Sequence, residues 1–291
     1  MKSAKILIIM TTYNGSNYVV EQLDSIMMQS VSNFDLLVSD DHSSDGTWSL
    51  LKKAAKQNAR ISLRQPAIRQ GNAGKHFIEV IVNENISSYD YILFSDQDDI
   101  WDQDKIERAL DIMCFKNVHA YSSNVTAFWE DGNTKLLLKS QQQRKYDYLF
   151  EAAGPGCTYC VDKSVIHAFK DYLADIDLDK IMLHDWLIYG FCRIRGFSWW
   201  IDDKSVLLYR QHSSNVIGSG ASFAAKIRRM QMLRSGRVFQ QLRELINHLQ
   251  PDMSDKISSR WWLLRNVKHL RRRKRDRYIL FILILIGLIN V

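Results

Sequence analysis

Residues 5–15 read Lys5-Ile6-Leu7-Ile8-Ile9-Met10-Thr11-Thr12-Tyr13-Asn14-Gly15, an apolar run that ends in a polar turn. Apolar residues then recur at helical spacing from Val19 to Met27, behind Asn17 as a candidate helix cap. The same order of strand, turn and helix returns over residues 34–57. Strands that alternate with helices predict an α/β fold with a mainly parallel central sheet, wound in the Rossmann manner.

The alternation continues along the chain and then loosens. A short strand near 61–64, a helix over about 74–82 and a strong strand at 91–94 follow the first two units. After residue 115 the pattern predicts strands near 120–124, 157–161, 197–201 and 206–209, and helices near 164–173 and 185–193. We interpret this second half as an extension of the same sheet.

Polar loops follow three of the predicted strands, at residues 11–15, 40–46 and 95–99. Ligands of such sheets bind beyond the carboxyl ends of the strands, where these loops converge. Asp96 and Asp98 stand on either side of one residue, so both carboxylates can approach a divalent cation, Mg²⁺ or Mn²⁺, together with diphosphate oxygens. An alternative is that acids at this junction cap a helix, with Asp99 as the cap.

Three motifs in this half of the chain resemble glycosyltransferase family 2. They are Thr11-Thr12-Tyr13-Asn14, residues 38–47 and Phe94-Ser95-Asp96-Gln97-Asp98-Asp99-Ile100-Trp101, and the resemblance covers roughly residues 4–215. The last motif is most similar to rhamnosyltransferases of bacterial surface polysaccharide assembly. The resemblance implies a Rossmann-like GT-A fold and a metal-dependent enzyme. It further implies transfer of a sugar, such as rhamnose, with inversion from a nucleotide-diphosphate donor to a hydroxyl of a surface glycan or lipid-linked oligosaccharide.

The resemblance also assigns roles to single residues at the three loops. Thr11, Tyr13 and Asp41 would bind the nucleotide. Asp96 would contact the ribose or the metal-bound diphosphate, and Asp98 would ligate the metal.

A late motif, Tyr209-Arg210-Gln211-His212, is similar to the family segment in which an arginine or a histidine contacts the diphosphate. Arg210 is therefore a candidate donor-binding residue. His212 is a candidate to complete the metal shell with Asp96 and Asp98, although a lone histidine is more often structural.

Direct displacement at an anomeric carbon requires a carboxylate that takes the acceptor proton. In the family this acid stands at the start of a later helix, commonly in a Glu-Asp pair, and His184-Asp185 matches only the second member. Asp185 is the candidate base, with Asp177 and Asp179 as alternatives.

Residues 154–158 resemble the family segment that lines the acceptor side. Glycines in such a segment allow backbone to approach a sugar closely. Gly156, Cys157 and Thr158 are therefore candidate acceptor-binding residues.

The net charge of +7 is unevenly distributed, because residues 224–291 hold 16 Lys or Arg against 4 Asp or Glu. Arg271–Arg277 runs directly into apolar residues 278–291. Basic residues beside an apolar run favour an anionic membrane surface as a partner. The run is shorter than the about 20 residues that span a bilayer. With no signal-peptide pattern at the N-terminus, we expect a peripheral or shallow anchor at the cytoplasmic face of the bacterial inner membrane.

These patterns divide the chain into a GT-A catalytic domain at 1–222, a basic helical extension at 223–277 and an apolar membrane-associating segment at 278–291. Two other functions stay open. A nucleotidyltransferase also uses an acidic pair and a metal, but it normally has a basic, glycine-rich loop near the N-terminus, and residues 11–15 contain no Lys or Arg. The second alternative is a noncatalytic protein that binds a sugar nucleotide and associates with a membrane. The acidic loops argue against a nucleic acid partner.

Overall fold

The computed structural model describes residues 4–212 and 237–288. In the first half of the chain, strands alternate with helices, as the sequence predicts. The elements are β1 (Ile6–Thr12), α1 (Val19–Met27), β2 (Phe34–Asp40), α2 (Thr47–Gln57), β3 (Ile61–Arg64), α3 (Ala73–Asn83) and β4 (Tyr91–Ser95).

The second half is more mixed. It contains β5 (Ile100–Trp101), α4 (Lys105–Lys116), β6 (Ala120–Phe128), β7 (Thr134–Leu137), β8 (Cys160–Asp162), α5 (Lys163–Leu173), α6 (His184–Arg195) and β9 (Trp199–Arg210). Short 3-10 helices lie at Asp147–Leu149, Gly156–Thr158 and Leu178–Lys180. The C-terminal part is helical, as predicted, with α7 (Arg237–Leu249), α8 (Pro251–Ser258), α9 (Arg260–Leu270) and α10 (Lys274–Leu285).

The described strands form one sheet in the order β3-β2-β1-β4-β8-β6-β9-β5, with β7 paired to β6. Strands β1 to β4 are parallel to one another, so the predicted parallel arrangement is confirmed there. β6 and β9 also pair in parallel, whereas β8 joins β4 to β6 through antiparallel pairs. The central strand β1 is buried along its length, and apolar from Ile6 to Met10, because helices cover both faces of the sheet.

Side chains of β1 alternate between two cores. Leu7 and Ile9 pack on the face that carries α3, α5 and α6, whereas Ile6 and Ile8 pack on the face that carries α1, α2 and α4. Buried side chains of α7 to α10 belong to the first of these cores: Leu242, Leu245, Ile246, Met253, Ile257, Leu263, Leu270, Leu280 and Ile284. The C-terminal helices therefore pack directly on the helices and strands of the α/β sheet.

Several local expectations are wrong. Asn17 does not cap α1, whose N-cap residue is Tyr18 without a side-chain cap. Asp99 precedes β5, and α4 begins only at Lys105, so Asp99 is not a helix cap. The strand expected over 157–161 starts at Cys160, because residues 156–158 form a 3-10 helix.

The strands expected near 197–201 and 206–209 are one strand, β9. The polar residues Asp202, Asp203 and Lys204 interrupt its apolar pattern, but pairing with β6 carries the strand past them through a register shift at Ser123 and Asn124.

The basic cluster at 271–277 does not form one solvent-facing surface. Arg272 is 5% exposed, and its Nε lies 3.3 Å from Oε1 of Glu151. By contrast, the Arg275 side chain is 79% exposed. Only part of the cluster is therefore available to a membrane, because Arg272 is a buried structural residue.

No helix within residues 4–212 and 237–288 combines the length and the apolar composition needed to cross a bilayer. The predicted boundary between residues 222 and 223 and the last three residues of the apolar segment lie outside the described ranges.

Candidate active site

The loops after β1, β2 and β4 meet at one edge of the sheet, because these three strands are adjacent and parallel. Thr12 Oγ1 donates to Asp40 Oδ1 at 2.9 Å and joins the first two loops. Gln97 accepts from Tyr13 N at 2.8 Å and donates to Tyr13 O at 3.0 Å, which joins the first loop to the Asp96-Gln97-Asp98 loop. Gly15 allows this approach, since a Cβ there would lie 2.2 Å from Gln97 Oε1.

The three residues predicted to bind the nucleotide stand at the ends of the paired strands β1 and β2. Tyr13 is 39% exposed and has the Arg69 guanidinium 4.3 Å from its ring centroid. Thr11 is buried. Asp41 is also buried and accepts from Gln70 N at 2.6 Å and Gly71 N at 2.8 Å. Tyr13 thus offers the largest accessible surface of the three.

Carboxylates from distant parts of the chain gather next to this loop. Burial, and then the negative charges of Asp98 and Asp185, raise the pKa of Asp96 to about 7. The structure therefore brings the predicted metal ligands and the predicted base into one acidic site. Concentrated negative charge of this kind is where a divalent cation gains most from binding.

Asp98 and His212 are direct neighbours, with 2.7 Å between Oδ2 and Nε2. The His212 ring also stacks on Tyr18, at 5.1 Å between ring centroids. Both Asp98 and His212 are largely buried, at 13% and 14% side-chain exposure. An oxygen and a nitrogen donor held together in this way fit a divalent cation such as Mn²⁺.

A second group of potential ligand atoms, on Asp96, Asp99 and Cys157, lies within 4.8 Å. Burial raises the pKa of the Cys157 thiol, which disfavours the thiolate, and hard cations prefer oxygen ligands. Asp99 instead accepts from Arg210 N at 3.2 Å and holds the end of β9. This group fits Mg²⁺ or Mn²⁺ less well than Asp98 and His212 do.

Arg210 lies behind the acidic loop, where it is 9% exposed. Its Nε donates to the carbonyl oxygen of Asp98 at 2.7 Å, and its guanidinium pairs with Glu21. Arg210 is thus placed beside the site by backbone and carboxylate contacts. Its predicted contact with a diphosphate stays a prediction.

Asp185 lies in the first turn of α6. Burial raises its pKa to about 6, against the opposing effects of the Trp186 N–H and the positive charge of Lys139. The alternative acids are more exposed, with Asp177 at 50% and Asp179 at 82% of the side chain, and Asp179 pairs with Lys75. Of the three acids, Asp185 is the one whose negative charge raises the pKa of Asp96.

His184, the departure from the family pair, is a buried neutral side chain. Its ring centroid lies 4.1 Å from that of Phe77, and burial lowers its pKa to about 3. A Cβ at Gly156 would lie 2.2 Å from His184 Nε2. Gly156 therefore makes room for the start of α6.

The predicted acceptor segment lies beneath this helix start. Cys157 and Thr158 are fully buried, and Thr158 Oγ1 donates to Pro155 O at 2.8 Å. The geometry gives this segment a supporting position beneath Asp185, and its contact with an acceptor stays a prediction.

Some residues of the site carry little signal in the sequence. Gln97 and Asp99 stand in the acidic motif, but their hydrogen bonds to Tyr13 and Arg210 depend on the fold. Lys139 lies 46 positions before Asp185 and is a neighbour only through β7 and the loop that follows it.

Comparison with known proteins agrees with this geometry. Residues 7–164 match Glycosyl transferase family 2. The dTDP-rhamnosyl transferase RfbG of Shigella flexneri is 39% identical over 95% of this chain and 99% of its own. The UDP-Glc:alpha-D-GlcNAc-diphosphoundecaprenol beta-1,3-glucosyltransferase WfgD of Escherichia coli is 29% identical over 56% of this chain and 62% of its own.

Two solved structures share the fold. S. aureus TarS 1–349 in complex with UDP has a TM-score of 0.59 at 15% identity, over 94% of this chain and 73% of the other. The mannosyltransferase PcManGT from Pyrobaculum calidifontis, in complex with GDP-Man and Mn²⁺, has a TM-score of 0.57 at 15% identity, over 98% and 81%. With its GT-A fold, its acidic loop after β4 and its family match, the chain belongs to glycosyl transferase family 2 and is a glycosyltransferase.

Proposed function

We propose that this glycosyltransferase moves rhamnose from dTDP-rhamnose, with inversion, to a hydroxyl of a bacterial surface glycan or lipid-linked oligosaccharide. The observation that carries the proposal is that Asp98 and Asp185, from distant parts of the chain, both lie close enough to Asp96 for their negative charges to raise its pKa. The choice of donor rests on RfbG, the dTDP-rhamnosyl transferase that is similar along nearly the whole chain.

Asp185 is the proposed base. At neutral pH a carboxyl with a pKa of about 6 is mostly ionised and still basic enough to take a proton. As the acceptor hydroxyl loses its proton to Asp185, its oxygen forms a bond to the anomeric carbon. The bond from that carbon to the diphosphate breaks on the opposite side, and dTDP leaves with the electron pair. One displacement of this kind inverts the anomeric configuration.

We further propose that Asp98, His212 and Asp96 hold a divalent cation, Mg²⁺ or Mn²⁺. The cation would supply charge that stabilises the departing diphosphate. Tyr13, Thr11 and Asp41 would bind the nucleotide at the ends of β1 and β2. The exposed ring of Tyr13 offers a stacking surface for the base.

The proposed acceptor and α10 suit a membrane surface. Leu280 and Ile284 of α10 are buried against the core, whereas Ile279, Ile282 and Ile286 are 49%, 54% and 59% exposed. The exposed Lys274 and Arg275 stand at the start of the same helix. An apolar face with basic residues at one end fits the interface of an anionic bilayer. We therefore propose peripheral binding at the cytoplasmic face of the inner membrane.

The test of the activity uses the purified full chain with dTDP-rhamnose, UDP-glucose and GDP-mannose, each with Mn²⁺, with Mg²⁺ and with a chelator. Calorimetry measures donor binding, and product analysis with a lipid-linked oligosaccharide acceptor measures transfer. We expect metal-dependent binding and transfer with dTDP-rhamnose. Binding without transfer to the lipid-linked oligosaccharide would overturn the proposed acceptor class, and preference for another donor would overturn the rhamnosyl assignment.

The test of the membrane contact is flotation with vesicles of neutral or anionic lipid. We expect the parent to float with anionic vesicles and Ile279→Ser/Ile282→Ser to float less. Phe115→Ser is the matched control, since Phe115 is 79% exposed on α4, an element of the other face of the sheet. Equal flotation of the parent and the double variant would remove α10 from the membrane contact.

A further inference from the structure

Gln241 of α7 contacts the segment that leads into α6, although 58 positions separate it from Leu183. Its Oε1 accepts from Met182 N at 2.7 Å and from Leu183 N at 2.9 Å, and its Nε2 donates to Leu183 O at 2.9 Å. The Gln241 residue is 4% exposed. One buried amide thus satisfies three backbone groups.

These backbone groups lie directly before Asp185. Leu183 is the N-cap residue of α6, and its side chain cannot accept a hydrogen bond. Two backbone N–H groups require an acceptor, which also fixes the orientation of the Gln241 amide. Loss of the amide would leave buried donors without a partner, which favours a shift of the segment.

The same segment is held from the opposite side by α3. A Cβ at Gly74 would lie 2.4 Å from Met182 O and 3.0 Å from His184 N, so only glycine fits without a shift. The segment at 182–184 is therefore enclosed between Gly74 of the catalytic domain and Gln241 of the helical extension.

Apolar packing holds α7 in place against α6. Leu242, Leu245 and Ile246 of α7 are all buried, and a Cβ at Gly190 of α6 would lie 2.7 Å from Leu245 Cδ2. The position of the Gln241 amide is thus set by a tightly packed helix pair, which gives it the rigidity that a supporting contact needs.

We propose that Gln241 is a positioning residue for Asp185, and that α7 thereby completes the acceptor side of the active site. The inference rests on the proposed role of Asp185 as the base. Gln241 acts through the backbone of Met182 and Leu183, which sets where α6 begins and where its first-turn carboxylate points.

The test compares Gln241→Met with the parent. Met keeps the side-chain length and the burial but removes all three hydrogen bonds. Displacement of a catalytic group by about 1 Å costs on the order of 100-fold in rate. We expect kcat to fall by roughly 10- to 100-fold while the Kd for donor with metal stays within about twofold, since Gln241 does not approach the donor loops.

Two further variants separate positioning from simple loss of structure. Gln241→Glu retains the two accepted hydrogen bonds and is expected to recover part of kcat. Glu244→Gln is the matched control on the same helix, because it removes the negative charge from the 3.0 Å surface ion pair with Lys180 and leaves the 182–183 backbone untouched. We expect its kcat to be close to that of the parent.

Hydrogen exchange gives a readout that does not depend on activity. The amides of Met182 and Leu183 are expected to exchange faster in Gln241→Met, with the amides of β1 and β4 unchanged. Should Gln241→Met not fold, Gly74→Ala tests the same segment from the other side and is expected to lower kcat without a change in donor affinity.

Parental kcat in a folded Gln241→Met variant would overturn the inference, as would parental exchange at residues 182–183. A loss of donor affinity equal to the loss of kcat would also overturn it, since that pattern indicates general damage. If the parent itself transfers no sugar, the proposed function fails instead, and the exchange data still decide whether Gln241 holds the segment.

Discussion

The Nε2 atom of His212 lies 2.7 Å from Oδ2 of Asp98, although 114 positions separate the two residues in the chain. The strand β9 ends at Arg210, whose backbone N donates to Asp99 at 3.2 Å. This hydrogen bond sets the end of the strand beside the acidic loop. His212, which the late motif makes a candidate for the metal shell, thereby becomes a neighbour of the predicted metal ligand.

His212→Ala is expected to weaken metal-dependent donor binding, because it removes one of the two adjacent donor atoms. Loss of a metal ligand or its support typically costs about 10- to 100-fold in affinity. Asp98→Ala is expected to abolish metal-dependent binding. Calorimetric titration of Mn²⁺ in the presence of dTDP measures both. Tyr18→Leu is a control that removes the ring stacked on His212 and keeps both donor atoms. Unchanged Mn²⁺ affinity in His212→Ala would exclude this histidine from the metal site.

Asp185→Asn is expected to lower kcat by at least about 100-fold, since an amide cannot take the acceptor proton. Donor binding is expected to stay intact, in contrast to Asp98→Ala. Asp179→Asn is the matched control, because Asp179 lies on the exposed 3-10 helix shortly before α6. Steady-state kinetics and calorimetry measure the two properties. Near-parental turnover in Asp185→Asn, or a comparable loss in Asp179→Asn, would contradict the assignment of the base.

Transfer is expected to depend on pH through Asp185. A base works in its ionised form, and burial raises the pKa of Asp185 to about 6. Below that pH the rate is expected to fall by about tenfold per pH unit, and above it the rate reaches a plateau. The profile of kcat at saturating metal and donor measures this limb. A rate that is constant from pH 5 to pH 8 would show that no group with this pKa limits the reaction.

The same carboxyl is expected to lower the stability of the fold at neutral pH. The pKa of Asp185 is 3.8 in the unfolded chain and about 6 in the folded protein. The free energy of unfolding is therefore highest below about pH 4, where the carboxyl is protonated in both states, and it falls as the pH rises through 6. Asp185→Asn is therefore expected to be more stable than the parent at pH 7.5 by about 1–3 kcal/mol. Denaturant unfolding at pH 7.5 and at pH 4.5 measures the difference, which should shrink at the lower pH.

Two neighbours in the basic cluster are expected to respond differently. Arg272→Ala removes a buried cation that lies beside Glu151 and Asp147, and loss of one partner of such a group typically costs about 3–5 kcal/mol. Arg275→Ala changes an exposed side chain and is expected to alter stability by less than about 0.5 kcal/mol. Thermal unfolding compares the two variants. Equal stability in both would show that Arg272 is not a structural residue.

The parallel strands and the acidic loops could be predicted from the sequence because both depend on local patterns. β1, β2 and β4 are short apolar runs followed by polar turns, and adjacency of parallel strands places their ends together. The same reasoning placed Asp96 and Asp98 in the site. It failed at Asp99, since acids at a strand end look alike whether they cap a helix or hold the backbone of a distant strand.

Other features depend on contacts that the sequence does not display. Nothing near Gln241 indicates that its amide binds residues 182–183, and the interruption at 202–204 concealed the continuity of β9. Arg272 stands among six other residues of a basic run, and only the packing of α9 and α10 on the catalytic domain distinguishes it. Long-range packing of this kind can be found only in the folded chain.

Asp147 contacts two arginines from different parts of the chain, Arg193 and Arg272. Its Oδ1 pairs with Arg193 of α6 at 2.6 Å, and its Oδ2 lies 3.9 Å from Nε of Arg272, two positions before α10. The helix that carries Asp185 and the helix with the exposed apolar face are thus tied to one carboxylate. If α10 rests on a bilayer, Asp185 stands at a set height above it. Acceptor hydroxyls at that height above the lipid would then be the ones within reach of Asp185.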